Sequence, residues 1–429
     1  MIIANAANGA ISIIRLSGEG VIGLMNDCIK VGGKSFFKGG FEKGKLYYAE
    51  FDGGEIKDKV MAVYFEKPKS YTGEDMIEIH AHGGVGITNL IIKYFLEKGV
   101  RLAENGEFSK RAFLNGKLDL SKAEGVLALI NSDTKEQAKN AFKLHDGELK
   151  NRVDKVMGEF KQMLGHLSAA IDYPEEGIEE ESIAKIEDRI KGVHDELAKL
   201  RDSYKEGSLI KNGVDVVLTG QVNVGKSQLM NALVGSDSAI VTDIAGTTRD
   251  IIKDSYEYKG HRFNVFDTAG IRESDDKIEQ MGIDKAKKLI DKADIVLKII
   301  EIGQKDDALK DNEILIENKL DTKKQSKNQQ AIQISALKNI NIDGLKEKIY
   351  QKSIKISKNE IILTEKRHYD CVLRGCIAIE SVLESIKSIN IDLIYSDLMV
   401  AYQSIGEITG VIATDEIINE VFSKFCVGK

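Results

Sequence analysis

The residues whose types and spacing point most directly to chemistry are Gly220-Gln221-Val222-Asn223-Val224-Gly225-Lys226-Ser227. They follow the apolar run Asp215–Thr219, which reads as a buried strand, and lead into the helix-like Gln228–Leu233. Strand, glycine-bounded loop and helix in that order are the context of a phosphate-binding loop. The glycines let the backbone curl, so that successive N–H groups from Asn223 to Gln228 and the helix N-terminus face a phosphate. Lys226 then reaches the terminal phosphates, and the Ser227 hydroxyl sits on Mg²⁺.

Further stretches complete a guanine-nucleotide site. Downstream, Gly246-Thr247-Thr248-Arg249-Asp250 forms a loop that can bring a Thr hydroxyl to Mg²⁺ and the last phosphate. Two antiparallel strands are expected at Asp254–Tyr258 and Arg262–Phe266, turned at Lys259-Gly260. The second ends in Asp267-Thr268-Ala269-Gly270, a carboxylate near the metal followed by a glycine N–H for the γ-phosphate. Asn318-Lys319-Leu320-Asp321 offers a carboxylate to the guanine N1 and N2 donors, which adenine lacks. Ser335-Ala336-Leu337, after the strand-like Ala331–Ile334, would cover the base. The order is that of the Ras-like GTPases, and chance does not readily assemble so many concordant motifs.

One position departs from Ras. A Gln that orients the attacking water there is replaced by Ile271, which cannot hydrogen-bond water. Two groups can take over that work: Asn223 within the loop, and Glu279 in the charged segment Arg272–Gln280. A solvated helix face is the alternative reading of Glu279.

The positioning elements must come from two or three domains in a chain of 429 residues. Hydrophobic content of 42% and charged content of 30% are ordinary for a soluble protein. No apolar run approaches the roughly 18 residues that span a membrane, and Met1–Ile14 lacks the basic flank of a signal peptide. Cys28, Cys371, Cys376 and Cys426 are too few and badly spaced for a disulfide framework or zinc site, so a reducing cytoplasm is expected. A net charge of −7 excludes a chain coated in basic surface, so any nucleic-acid phosphates are gripped by a local patch or a partner.

In chain order, the first part reads as α+β. Ile11–Leu16 and Lys59–Phe65 are strand-like, Met76–His82 alternates, and Val85–Lys98 follows as a helix. His80 and His82 share a strand face without a third ligand nearby, so they read as partly buried histidines rather than a metal pair. From Ser109 the pattern is helical, with Val153, Met157, Phe160, Leu164, Leu167 and Ile171 in one stripe. The acidic run Glu175–Glu181 reads as a solvated turn. Val372, Cys376, Ile379, Leu383 and Ile386 form a second stripe, which makes Cys376 a core thiol. Helical stretches on both sides imply that the nucleotide domain is inserted into one helical domain. Cys426, past the last apolar turn, reads as either incidental or reactive.

The chain resembles the family of tRNA-modifying GTPases called MnmE or TrmE over nearly its whole length. The most specific marks are Tyr71-Thr72-Gly73-Glu74-Asp75, His82-Gly83-Gly84, the run Gly106–Leu120, Asp172–Glu176 and the terminal Cys426-Val427-Gly428-Lys429. The resemblance implies a multidomain α+β and α/β fold. Its parts are a tetrahydrofolate-binding and dimerisation domain at 1–112, a helical domain at 113–208 and 352–429, and an inserted Ras-like P-loop domain at 209–351. It places K⁺ on Asn223, Thr242, Ile244 and Thr247, and Mg²⁺ on Ser227 and Thr248, with Glu279 positioning water. Formyl- or methylene-tetrahydrofolate maps onto Arg15, Glu78, Lys117 and Lys429, and Cys426 matches a cysteine required for modification. The resemblance further implies a homodimer whose loaded GTPase domains pair, a heterotetramer with the flavoprotein MnmG (FAD on that partner only), tRNA as substrate and no membrane. The reaction implied is addition of an aminomethyl or carboxymethylaminomethyl group to the wobble uridine. Departures from the family pattern are Val222 for a Pro, Val427 for an Ile, and Asn8-Gly9-Ala10 in place of a longer Thr-Pro-containing loop. A ribosome-assembly GTPase of the Era or Der type shares the nucleotide motifs but predicts basic RNA-binding domains. A nucleotide-binding scaffold without turnover is the third reading, opposed by intact Lys226, Thr248 and Asp267.

Overall fold

The computed structural model describes residues 2–5, 9–36, 42–173, 179–238, 253–267, 287–304, 309–322, 328, 330–354, 361–386, 390–426 and 428. The chain divides into two compact units, one built from Met1–Leu127, Leu144–Phe160 and Tyr402–Lys429, the other from Ala128–Lys143 and Lys161–Ala401.

The first unit is organised on a seven-stranded sheet. Its strands are β1 Ile2–Asn5, β2 Ile11–Ser17, β3 Ile29–Val31, β4 Lys34–Ser35, β5 Tyr47–Asp52, β6 Lys57–Phe65 and β7 Met76–His82, in the spatial order β1-β2-β7-β6-β5-β3-β4. Every pairing is antiparallel. Strand alternation sends Ile14 and Leu16 of β2 and Ile77, Ile79 and Ala81 of β7 into a core with Phe51, Ala62, Tyr64, Ile91 and Phe95. The intervening Arg15 and Glu78 therefore share the other face, and the β2–β7 register sets them directly opposite each other. Helix α1 (Val21–Cys28) and helix α2 (Val85–Glu97) cover the core side. The two histidines of β7 part company. His80 is half-buried beside Glu78, whereas His82, at the strand end, is exposed and bonds Asp58 at 2.6 Å. Among the described residues no cluster of three or more metal-ligating side chains occurs.

Helices α3 (Glu107–Leu114), α4 (Leu120–Ile130) and α12 (Asp415–Ser423) share a smaller core of Leu120, Ala123, Val421, Phe422 and Phe425, flanked by Phe113. Thr414 caps α12 by accepting the Ile417 N–H. Gly106 opens α3 at φ +66°, pressed against α12 so closely that a Cβ there would lie 2.5 Å from the Phe422 carbonyl oxygen.

In the second unit, helix α7 (Glu179–Asn212) runs along helix α10 (Lys366–Ser385), with the Tyr204 and Tyr369 rings stacked at 4.4 Å. Cys376 is buried here, and burial pushes its thiol up to about 11, as an inert core sulfur requires. The expected stripe is shifted at one point: Val382 is buried and Leu383 only half-buried. Helix α6 (Glu148–Asp172), whose residues up to Phe160 belong to the first unit, buries Val153, Met157, Phe160, Leu164 and Leu167, while Ile171 in its last turn is exposed. Of the acidic run, 175–178 lie outside the described residues and 179–181 begin α7.

A six-stranded sheet completes this unit: β8 Val214–Gly220, β9 Lys253–Tyr258, β10 His261–Asp267, β11 Ile295–Glu301, β12 Glu313–Asn318 and β13 Ile332–Gln333. The order is β13-β12-β11-β8-β10-β9, parallel throughout except for the hairpin β9–β10. That hairpin turns at Lys259 and Gly260, both at positive φ (50° and 82°), the backbone a tight hairpin turn needs. Helix α8 (Lys226–Ser238) and helix α9 (Ile342–Ser353) pack Leu229, Leu233, Leu345 and Ile349 into a core with Val216, Leu218, Val265, Leu297 and Ile316. Gly220, Asp267, Glu301 and Asn318 all stand at the carboxyl ends of parallel strands, the edge where open α/β sheets bind ligands. Among the described residues, no helix is long and apolar enough to cross a membrane.

Gly106→Ala tests the α3–α12 junction. The side chain meets backbone rather than a flexible tip, and the positive φ adds strain, so the substitution should cost about 1–3 kcal/mol in urea unfolding. Unchanged stability would mean that the junction has room the geometry does not show.

Candidate functional site

The loop between β8 and α8 has its conformation set by close approach. Gly220 (φ +147°) lies under the Ile299 carbonyl, 2.4 Å from where a Cβ would sit, and Gly225 (φ +95°) lies 2.4 Å in the same sense from Asn318 Nδ2. Asn223 takes a left-handed φ of 65°, which its short polar side chain tolerates, and is exposed. Val224 is buried and fastens the loop to the core. Lys226 is buried, and its Nζ donates to the carbonyls of Gly220 at 3.0 Å and Gln221 at 2.8 Å. The ammonium therefore sits within the curl of the loop, at the N-terminus of α8, where both charges favour an anion.

Ser227 Oγ donates to Asp267 Oδ2 at 2.8 Å. The register of β10 on β8 pairs Asp267 with Leu218 and so brings this carboxylate beside the loop. A hydroxyl and a carboxylate oxygen are the hard donors a Mg²⁺ ion prefers, and the pair fits that ion.

On the base side, Asn318 joins two loops. Its Nδ2 donates to the Val224 carbonyl at 2.8 Å, and its Oδ1 accepts the Ala336 N–H at 3.0 Å. Asp321 accepts from Ser335 Oγ at 2.6 Å. That bond, with Lys338 and Lys319 nearby, holds the Asp321 carboxyl below its usual range. The carboxylate stays ionised and half-exposed, able to accept further hydrogen bonds. Leu337 is exposed beside it, and Lys319, at φ +70°, pairs with Glu301. Gln228 lies exposed in the first turn of α8. Thr242, Asp243, Ile244, Ala245, Gly246, Thr247 and Thr248, with Thr268, Ala269, Gly270, Ile271 and Glu279, lie outside the described residues, as does Lys429.

A second candidate site lies in the other unit. A cavity of about 380 Å³ is lined by Arg15, Phe65, Lys69, Ser70, Tyr71, Met76, Glu78 and Val126. That volume suits a small-molecule cofactor, and the lining offers one cation–carboxylate pair against apolar walls. Arg15 Nε donates to Glu78 Oε1 at 2.7 Å. The C-terminal segment reaches the same place: Gly428 O accepts from Arg15 Nη1 at 3.4 Å, and Cys426 O from the Gly106 N–H at 3.4 Å. Phe425 is buried, and the Cys426 side chain is exposed. Lys117 donates to Pro68 O at 3.0 Å and does not line the cavity itself.

Periodicity gave no reason for the run Tyr71–Asp75; the contacts give one. Tyr71 bonds Ser109 at 2.8 Å, Thr72 bonds Ser17 at 2.7 Å, Glu74 takes Arg111 Nη1 at 2.9 Å and Asp75 takes Tyr64 at 2.7 Å. Gly73 turns at φ +79° with Asn115 pressed against it. Arg111 also bonds Glu107, which is shared with Arg101 at 2.8 Å. Of the lining residues, sequence reasoning names only Arg15 and Glu78 for the site; it misses Phe65, Lys69, Ser70, Tyr71, Met76 and Val126. The dense polar motif was the only signal available for Lys69, Ser70 and Tyr71.

Comparison with known proteins agrees across both units. A family model described as the MnmE helical domain matches residues 120–426, and one described as the GTP-binding protein TrmE N-terminus matches residues 1–117. A curated tRNA modification GTPase MnmE from Natranaerobius thermophilus is 36% identical, covering 98% of this chain and 97% of that protein. One from Acetivibrio thermocellus is likewise 36% identical over 98% of this chain and 96% of its own length. Among solved structures, Aquifex aeolicus Era bound to GDP and aluminium fluoride aligns at 23% identity and TM-score 0.26, covering 38% of this chain and 66% of that chain. That last likeness is too slight to carry an argument.

The polar cluster around the cavity predicts a pH dependence. Burial pushes the Glu107 carboxyl up, but Arg101, the Glu104 backbone N–H and Arg111 outweigh it and hold it at about 2, against an ordinary 4.5. A carboxyl depressed on folding stabilises fully above its unfolded value and loses that contribution as pH falls towards the folded one. Glu107→Gln should therefore lower the melting temperature by about 2–5 °C at neutral pH. The gap from wild type should begin to close below pH 4.5. A gap constant across that range would remove the charge assignment.

Proposed function

Because the chain belongs to the MnmE family of tRNA modification GTPases, we propose that it is a K⁺-activated, Mg²⁺-dependent enzyme of wobble-uridine modification. The chain is a GTP hydrolase. What carries the finer reading is the coincidence of near-full-length likeness with a phosphate loop whose Lys226, Ser227 and Asp267 already stand together.

Lys226 and the N-terminus of α8 bind the β- and γ-phosphates, and Asp321 selects guanine by accepting its N1 and N2 donors. Ser227, with Thr248, holds Mg²⁺; Asn223, with oxygens from Thr242, Ile244 and Thr247, holds K⁺. Bound there, the two cations supply positive charge where negative charge builds in the transition state. Ile271 cannot orient water, so Glu279 takes that task. Loading pairs the two GTPase domains of a homodimer, and hydrolysis releases them, a conformational cycle rather than a group transfer.

The cavity at Arg15 and Glu78 would hold formyl- or methylene-tetrahydrofolate, with Lys117 and Lys429 as further contact residues of the family pattern. Bound there, folate would supply the one-carbon unit; Arg15 and Glu78 would pair with its polar atoms, and the apolar wall of Phe65, Met76 and Val126 would exclude water. Cys426 takes part in the modification. A flavoprotein partner of the MnmG type, carrying FAD, completes a heterotetramer that adds the aminomethyl or carboxymethylaminomethyl group to tRNA. With a net charge of −7, this chain leaves much of the tRNA grip to that partner. The setting is the cytoplasm.

GTP turnover in KCl and in NaCl at equal ionic strength tests the cation. Potassium should accelerate hydrolysis, and Asn223→Ala should abolish at least about tenfold of that gain. Equal, slow turnover in both salts would sink the K⁺ reading. Wobble-nucleoside analysis of cells carrying Cys426→Ser checks the other site: unmodified uridine is expected, and full modification would remove Cys426 from the reaction.

A further inference from the structure

We propose that Glu301 is a positioning residue for the guanine nucleotide. It holds the Lys319 side chain in place beside the base, and the buried Glu317 fixes the turn that carries Glu301. The inference rests on the reading of Asn318–Asp321 as the base site. It adds a supporting layer which neither the motif nor the family likeness assigns.

Three contacts carry it. Lys319 Nζ is ion-paired with Glu301, at the carboxyl end of β11 directly opposite Asn318 in the β11–β12 register. Beyond Glu301 the chain turns at once: Gln304 N donates to Glu301 O at 3.1 Å, and Gly303 stands at φ +89°. Glu317, fully buried in the middle of the sheet edge, accepts the Gly303 N–H on Oε1 at 3.4 Å. Its Oε2 has no hydrogen-bond partner among the described residues. A buried carboxyl with an unsatisfied oxygen is unfavourable where an apolar side chain would fill a strand position readily. Its visible contact is to the turn, which locates what it does. The chain of contacts runs from Glu317 to Gly303, through the turn to Glu301, and from Glu301 to Lys319.

The effect should appear in binding rather than folding. The Lys319 and Glu301 side chains are 35% and 37% exposed, and ion pairs of that exposure contribute little to stability. A lysine is also a flexible side chain that loses freedom when a ligand fixes it. Held beforehand, it presents its alkyl stem to the base face without that loss at the moment of binding.

The test uses the full-length chain, a fluorescent GDP analogue and steady-state GTP hydrolysis. Glu301→Gln should weaken GDP binding about threefold to tenfold and raise KM to match, with kcat and melting temperature unchanged. In a Lys319→Met background the same change should add nothing, because the group it positions is gone. Wild-type affinity in Glu301→Gln would overturn the proposal, as would an equal loss in both backgrounds or a fall in kcat alone. Asp321→Asn separates the two layers. It should exchange GDP for xanthosine diphosphate, whose 2-carbonyl accepts from an amide. If it does and Glu301→Gln is silent, only the positioning role fails; if it does not, the base-site reading fails and this inference with it.

Discussion

The nucleotide site depends on one side-chain amide. Asn318 ties the phosphate loop, through the Val224 carbonyl, to the loop that follows β13, through the Ala336 N–H. Both groups are buried, so each bond replaces water that cannot reach them, and losing either would leave an unsatisfied polar atom. The close fit of Gly225 against the same amide follows. A residue read from sequence as a ligand contact thus also holds together the phosphate and base halves of the site. The setting of the Asp321 carboxylate depends on it, because Ser335, which bonds that carboxylate, is carried by the loop Asn318 anchors.

The other unit solves a similar problem with charge. Arg111 bridges Glu74 and Glu107, and Glu107 is shared with Arg101 and the Glu104 N–H. A buried carboxylate needs several donors to remain ionised, and this cluster supplies them while fixing the turn Tyr71–Asp75 to helix α3. The cavity wall contributed by Lys69, Ser70 and Tyr71 is held by that turn. The C-terminal segment closes the arrangement, since Gly106 allows α12 to come close and Phe425 anchors the chain before Cys426.

The two sites divide the chemistry by the kind of surface each fold offers. A parallel sheet gathers strand ends, loop N–H groups and a helix N-terminus on one edge, which suits a polyphosphate and its metal. An antiparallel sheet with one covered face presents facing side chains in register, and Arg15 opposite Glu78 is such a pair, lining the cavity of the first unit.

The sequence by itself determined much of the nucleotide domain. Strands β8, β9, β10 and β13, the turn at Lys259-Gly260 and the placement of Lys226, Ser227 and Asp267 were legible because each is a local matter: apolar runs, glycine freedom and motif spacing act over a few residues. Strands β11 and β12, which carry no motif along their length, came only with the sheet. Family likeness carried the assignment of Arg15, Glu78 and Cys426, which no periodicity could have found. Only the tertiary structure decided what the polar run Gly106–Leu120 does, that Asn318 joins two loops, that His80 and His82 differ in exposure, and that the Gly428 carbonyl reaches Arg15. These facts join residues far apart in the chain, as Arg15 and Gly428 are. Polar contacts of that kind have no sequence period, since hydrogen-bond partners are chosen by distance and direction in the folded chain rather than by spacing along it.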